Sequence, residues 1–203
     1  MRQCAVGAVT LWIKSRRAFL GVLVALLLGV SASAMTGRHV WLPQLLRSLA
    51  LPVPIALLLT AAWSVFVGYQ LVRTVLPADF VATRPVARLN IGLVSIDAIA
   101  FSAPLLLVGF LDGAQLQDDA LMSVRNVIAF GGLVLIALAY LSPSVIALPA
   151  VTWAVISALF GADSHGAPQV WAVPIRPPTA SSFMLAIALM LVGAFVQRFR
   201  TLH

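Results

Sequence analysis

The sequence predicts an all-α integral membrane protein, and three observations carry that prediction. Only 9% of the 203 residues are charged and 62% are hydrophobic, whereas a soluble domain carries about 25% charged residues. Mean hydropathy is +1.05, more apolar surface than a water-soluble fold of this size could bury. The apolar runs are long and lack period-2 alternation, which favours helices over a β-barrel. The expected architecture is a single transmembrane domain over residues 1–203 with six spans.

Residues 1–17 mix Val6, Val9, Leu11, Trp12 and Ile13 with Lys14, Arg16 and Arg17. That composition suits an interfacial segment on an anionic leaflet. The first span is expected at about 18–35. Its basic flank, the apolar run Phe19–Val30 and Ala32-Ser33-Ala34 also fit a secretory signal peptide. A polytopic remainder makes an uncleaved span the simpler expectation. Gly37–Pro43 breaks the apolar run as a loop. The second span follows at about 50–72, with Pro52 and Pro54 marking an irregular outer end or a kink.

Gly68–Asn90 is the longest basic interruption, with Arg73, Arg84 and Arg88 against Asp79. Between Pro77 and Pro85 it has room for about two helical turns. The third span is expected at about 91–111, containing Asp97 and Pro104, and an acidic loop at Asp112–Asp119 follows. Spans four and five, about 124–141 and 145–161, are joined only by Ser142-Pro143-Ser144. Both are near the lower limit of about 17 residues for crossing, so a re-entrant hairpin is the alternative. A polar, Pro-rich loop leads to the last span at about 182–197, whose start could lie nearer Thr179.

Six spans place both termini on one side. That side holds Arg2, Lys14, Arg16, Arg17, Arg73, Arg84, Arg88, Arg198 and Arg200; the other holds Arg38, Arg47, Arg125 and Arg176. Lys and Arg are enriched in cytoplasmic loops, so both termini are expected in the cytoplasm of a cell-membrane protein. The net charge of +7 is then a topology signal, and no nucleic-acid partner is implied.

Several chemistries are excluded. A phosphate-binding loop needs Gly-x-x-x-x-Gly-Lys-Ser/Thr. The only lysine, Lys14, follows Ile13. His39, His165 and His203 are scattered without metal-ligand spacing. No catalytic residue, metal or cofactor is expected. Asp97 is the one acid inside a span, and an ionised Asp at a helix centre costs about 2.5–3.5 kcal/mol. Asn90, Asp97 and Pro104 recur every seven residues near one face. They are candidates for a pathway lining or an interface. The alternative is an Asp97 near enough to the cytoplasmic surface to be solvated or to pair with Arg84 or Arg88.

This layout resembles the membrane (permease) subunit of a type-2 ATP-binding-cassette exporter. Ala82-Thr83-Arg84-Pro85-Val86-Ala87-Arg88-Leu89 resembles the family's cytoplasmic stretch before the third span, and Leu11-Trp12-Ile13-Lys14-Ser15-Arg16-Arg17 resembles its connecting helix. The family's Glu-rich, Gly-Thr-containing lead-in is replaced here by Asp79 alone. The resemblance implies a half-transporter without an enzyme activity of its own. It would pair with a second permease subunit, identical or related, and with P-loop ATPase subunits, to export an amphipathic or hydrophobic substrate. A short coupling helix between spans two and three would dock the ATPase. Arg73, Arg84 and Arg88 would pair with acids on its rim, apolar Leu76, Phe80 and Val81 would fill its cleft, and Asp79 belongs to the same docking stretch. The alternative is that these arginines only hold the loop in the cytoplasm and touch lipid headgroups. Two other functions compete with export: a small proton-coupled secondary transporter using Asp97, and a non-transport assembly or immunity protein.

Overall fold

The computed structural model describes residues 18–43, 50–72, 86–111, 114–163 and 165–200. The interfacial segment 1–17 and the stretch 73–85 lie outside the described residues.

Helix α1 is Ala18–Ala34. Its inward stripe is small, with Gly21, Ala25, Gly29, Ala32 and Ser33 buried, while Phe19, Leu23, Leu27 and Val30 face outward. Small residues let backbones approach where no water drives helices together. The carbonyl of Phe101 occupies the space a side chain at Gly29 would need.

An antiparallel ribbon follows, which the sequence reading had as a loop and the start of a helix. Strand β1, His39–Pro43, pairs with β2, Ala50–Pro54, in the register His39↔Pro54, Trp41↔Pro52 and Pro43↔Ala50. The reason lies in the prolines. Pro52 and Pro54 lack an N–H and push Leu51 and Val53 into extended backbone. Both strands are edges, where proline is tolerated. Helix α2 therefore starts only after them, at Ile55, and runs to Val72.

Helix α3 is Val86–Leu111, opening directly after Pro85 and five residues earlier than expected. Pro104 sits inside it. Helix α4, Ala114–Tyr140, corrects the expected acidic loop at 112–119, because it includes Asp118 and Asp119 in its first turns. Both stand past its first turn, within the helical backbone, so they do not mark a loop. Asp119 Oδ2 accepts a hydrogen bond from Gly37 N at 3.0 Å and lies 4.0 Å from His39 Nε2. This contact is partly solvated, so Asp119→Ala should cost under about 1 kcal/mol in a denaturation assay.

After a 3-10 turn at Pro143–Val145, helix α5 covers Leu148–Phe160, with Pro149 in its first turn. A second 3-10 turn at Val173–Ile175 precedes helix α6, Ala180–Arg200. Among the described residues, five stretches are long and apolar enough to cross a membrane: Ile55–Val72, Val86–Leu111, Gln117–Tyr140, Pro143–Phe160 and Ala180–Phe199. Ala18–Ala34 is apolar and one residue shorter than the shortest of them. The protein is thus a membrane-embedded helical protein carrying one small ribbon.

Contacts define its two ends. One end gathers the start of α1, the end of α2 and the α4–α5 connection, since Gln70 fills the space beside Gly21 and Gly68 faces Ala147. The other gathers the end of α1, the ribbon, the start of α4, residues 161–179 and the start of α6. Helices α4 and α6 run parallel, with Arg125 beside Ser182, Gly132 on Leu189 and Leu135 beside Gln197. The core lies where α2, α3 and α4 meet. Trp63 and Phe101 meet there with tilted rings whose centroids are 6.1 Å apart, and Val94 and Trp63 both close on Gly131.

Candidate functional site

Two polar groupings interrupt the apolar interior, one toward each end. The first is on α2 and α3. Asp97 is fully buried, and Asn90 and Gln70 are each only 7% exposed. Asn90 and Asp97 are seven residues apart, two turns less 20°, so they share a face and stand about 10 Å apart along the axis. The Gln70 amide lies against Gly21 of α1, while Gly29 of α1 lies against Phe101 of α3. Gly21 and Gly29 are eight residues apart on α1, and eight residues before Phe101 on α3 is Leu93, so Gln70 sits at a depth between Asn90 and Asp97. Its oxygen, the Asn90 oxygen and both Asp97 oxygens have no hydrogen-bond partner.

Starting α3 at Val86 places Asp97 eleven residues in, about 16 Å from the helix start. It is therefore deeper than the sequence reading had it. The proposed pairing with Arg88 does not form, because Arg88 is exposed and nine residues away, on the opposite face of α3. Arg84 is outside the described residues. Pro104 is half-buried on the same face as Asp97.

The second grouping is at the other end, and the sequence reading missed it. Arg125, expected at the outer edge of the fourth span and counted there as a topology charge, lies well inside α4 and is fully buried. Its guanidinium donates to backbone carbonyls of the 3-10 turn and the chain after it: Nη1 to Arg176 at 3.0 Å and Pro177 at 3.4 Å, and Nη2 to Val173. Nη1 also donates to Ser182 Oγ at 3.2 Å, and Nε and Nη2 share Asn126 Oδ1. Asn126 Nδ2 donates to Pro174 O at 2.8 Å. Every guanidinium N–H thus has an acceptor, without a carboxylate among the described residues. A planar five-donor fork suits a carbonyl cluster in a way a lysine does not. The grouping is a clamp that fixes residues 173–177 over the ends of α4 and α6. Trp153 adds a second tie by donating from Nε1 to Trp171 O at 3.1 Å.

Of the expected docking residues, Arg73, Leu76, Asp79, Phe80 and Arg84 lie outside the described residues. Arg88 is exposed in the first turn of α3. Among the described residues, no group of His, Cys, Asp and Glu could hold a metal ion. Comparison with protein-family models, with curated proteins and with solved structures found no match.

Proposed function

We propose that this chain is the membrane subunit of an ATP-driven exporter of the type-2 ATP-binding-cassette class. In this reading α1 to α6 all cross the bilayer, including the 17-residue α1, and both termini are cytoplasmic. One observation carries it: the helix directions bring the start of α1, the end of α2, the start of α3 and the end of α6 to one end. Residues 1–17, the basic stretch 73–85 and the C-terminus all join the helices at that end. Arg88 is exposed there as well. A chain without a phosphate-binding loop needs such a handle to be driven by ATP. The expected complex is two permease subunits, identical or related, with two P-loop ATPase subunits gripping residues 73–88. The substrate class is amphipathic or hydrophobic.

The test is co-purification from membranes. A P-loop ATPase should travel with the wild-type chain. Arg84→Glu with Arg88→Glu should reduce its recovery at least roughly tenfold, since reversing two charges replaces attraction with repulsion at the rim. Membrane insertion should be unchanged. Equal ATPase recovery with the double variant would remove the docking role. Substrate movement by the chain alone on a proton gradient would remove the whole reading.

A further inference from the structure

We propose that Gln70, Asn90 and Asp97 form a site for one hydrated monovalent alkali cation inside the helix bundle, entered from the end that carries the termini. The inference does not depend on the ATPase reading, because it rests on the interior of α1, α2 and α3 alone.

Four buried oxygens lie within about two helical turns of depth without a hydrogen-bond partner: Gln70 Oε1, Asn90 Oδ1, and Oδ1 and Oδ2 of Asp97. A buried polar atom left unpaired costs on the order of 1–3 kcal/mol, and such groups in a native interior call for an occupant. All four are acceptors. A row of that kind fits something that brings positive charge or N–H and O–H donors.

Charge selects among the candidates. When ionised, the carboxylate supplies one negative charge, and among the described residues no neighbouring element offsets it. Helix α1 contributes no titratable side chain. On α2 Tyr69 is exposed, and on α3 Arg88 is exposed on the far face. The charged groups of α4 are Asp118, Asp119 and Arg125, all at the other end, with Arg125 engaged by carbonyls. On α6 Arg198 is exposed near the terminus-bearing end. A monovalent cation brings the site to neutrality, whereas a divalent one would leave a net charge in an apolar core. A proton on Asp97 turns one oxygen into a donor and can satisfy one further acceptor, leaving the rest unpaired. A cation with its waters reaches all four. Water also bridges the spread of about 10 Å between the Asn90 and Asp97 backbones, which direct ligation by one ion would not.

The surroundings fit a dead-end site. Gln70 is two residues from the end of α2, and Asn90 is four from the start of α3, so the row lies toward that end. One turn beyond Asp97 the Trp63–Phe101 pair closes it. The indole Nε1 of Trp63 is itself buried without a partner. The glycine at position 21 leaves the Gln70 amide its room.

The experiment uses the full chain in detergent micelles. Thermal unfolding is followed in NaCl, KCl, LiCl and choline chloride at equal ionic strength and pH. At least one alkali chloride should raise the melting temperature by several degrees over choline and saturate with concentration, as ligand linkage requires. Asp97→Asn keeps the shape, removes the charge and should abolish the gain. Gln70→Leu should raise the half-saturating concentration about tenfold. Equilibrium dialysis with radioactive sodium, competed by the other cations, gives a second readout that needs no stability change. An equal gain in Asp97→Asn, or no difference between any alkali cation and choline in both measurements, would overturn the proposal. A response to pH with none to alkali cations would overturn it too, and would assign the site to a proton.

Discussion

Arg125→Met should destabilise the protein by about 3–5 kcal/mol and open residues 161–179 to protease. The magnitude follows from what would be left behind. The side chain is fully buried, and its donors serve Val173, Arg176 and Pro177 carbonyls, Ser182 and Asn126. Each carbonyl stranded without a donor costs about 1–3 kcal/mol, and removing one partner from a buried charged cluster typically costs 3–5. Arg125→Lys should recover only part of the loss, because one ammonium cannot address carbonyls spread over five residues. Asn126→Ala should cost about 1–2 kcal/mol, since it releases Pro174 O and one shared acceptor. Chemical denaturation in micelles gives the energies, and limited proteolysis locates the opening. If Arg125→Met unfolded and were cleaved as the wild type is, the clamp would have no energetic meaning.

Why this residue escaped a reading of the sequence is instructive. A lone arginine between apolar runs looks like a topology marker. The acceptors that overrule that view are backbone carbonyls about 50 residues downstream, and a carbonyl leaves no trace in residue type. The same marker logic set the start of α4 too late, because Asp118 and Asp119 were taken for a loop. The ribbon was missed for a related reason. Pro52 and Pro54 were read as damage to a helix, whereas together they enforce extended backbone. The apolar cores of the helices were legible because length and composition suffice for them.

The polar row was half legible. Asp97 stands out as the only acid in an apolar run, and Asn90 falls into its seven-residue register. Gln70 adjoins the basic stretch and passes for an interfacial residue. Only packing against Gly21, 49 positions earlier, sets its amide at a depth between the other two. Helix α3 starts at Val86, directly after Pro85 in the sequence, and the earlier start moves Asp97 inward.

A methyl group at either Gly132 or Gly193 should cost about 1–3 kcal/mol by forcing α4 and α6 apart. These helices share the most extensive contact in the bundle. A Cβ at Gly132 would stand 2.5 Å from the Leu189 carbonyl carbon and 2.6 Å from Met190 N. A Cβ at Gly193 would stand 2.6 Å from Gly132 O and 2.9 Å from Leu135 Cβ. Three of these four obstacles are backbone, so no rotamer change relieves them. Both glycines serve one approach, and the double variant should therefore lose less than the sum of the singles, because the first methyl already separates the helices. Gly92→Ala is the control. Nothing lies within 4 Å of its Cβ position, so the helix-propensity gain of up to about 1 kcal/mol should come through. Additive losses at 132 and 193 would mean that the two positions act separately. The separation should also be felt at a distance. Gly132 is two turns along α4 from Arg125, and α6 carries Ser182, the clamp's side-chain acceptor on that helix. Widening the α4–α6 gap lengthens the reach from Nη1 to Ser182, so Gly132→Ala should increase proteolysis of residues 161–179 although it touches none of them.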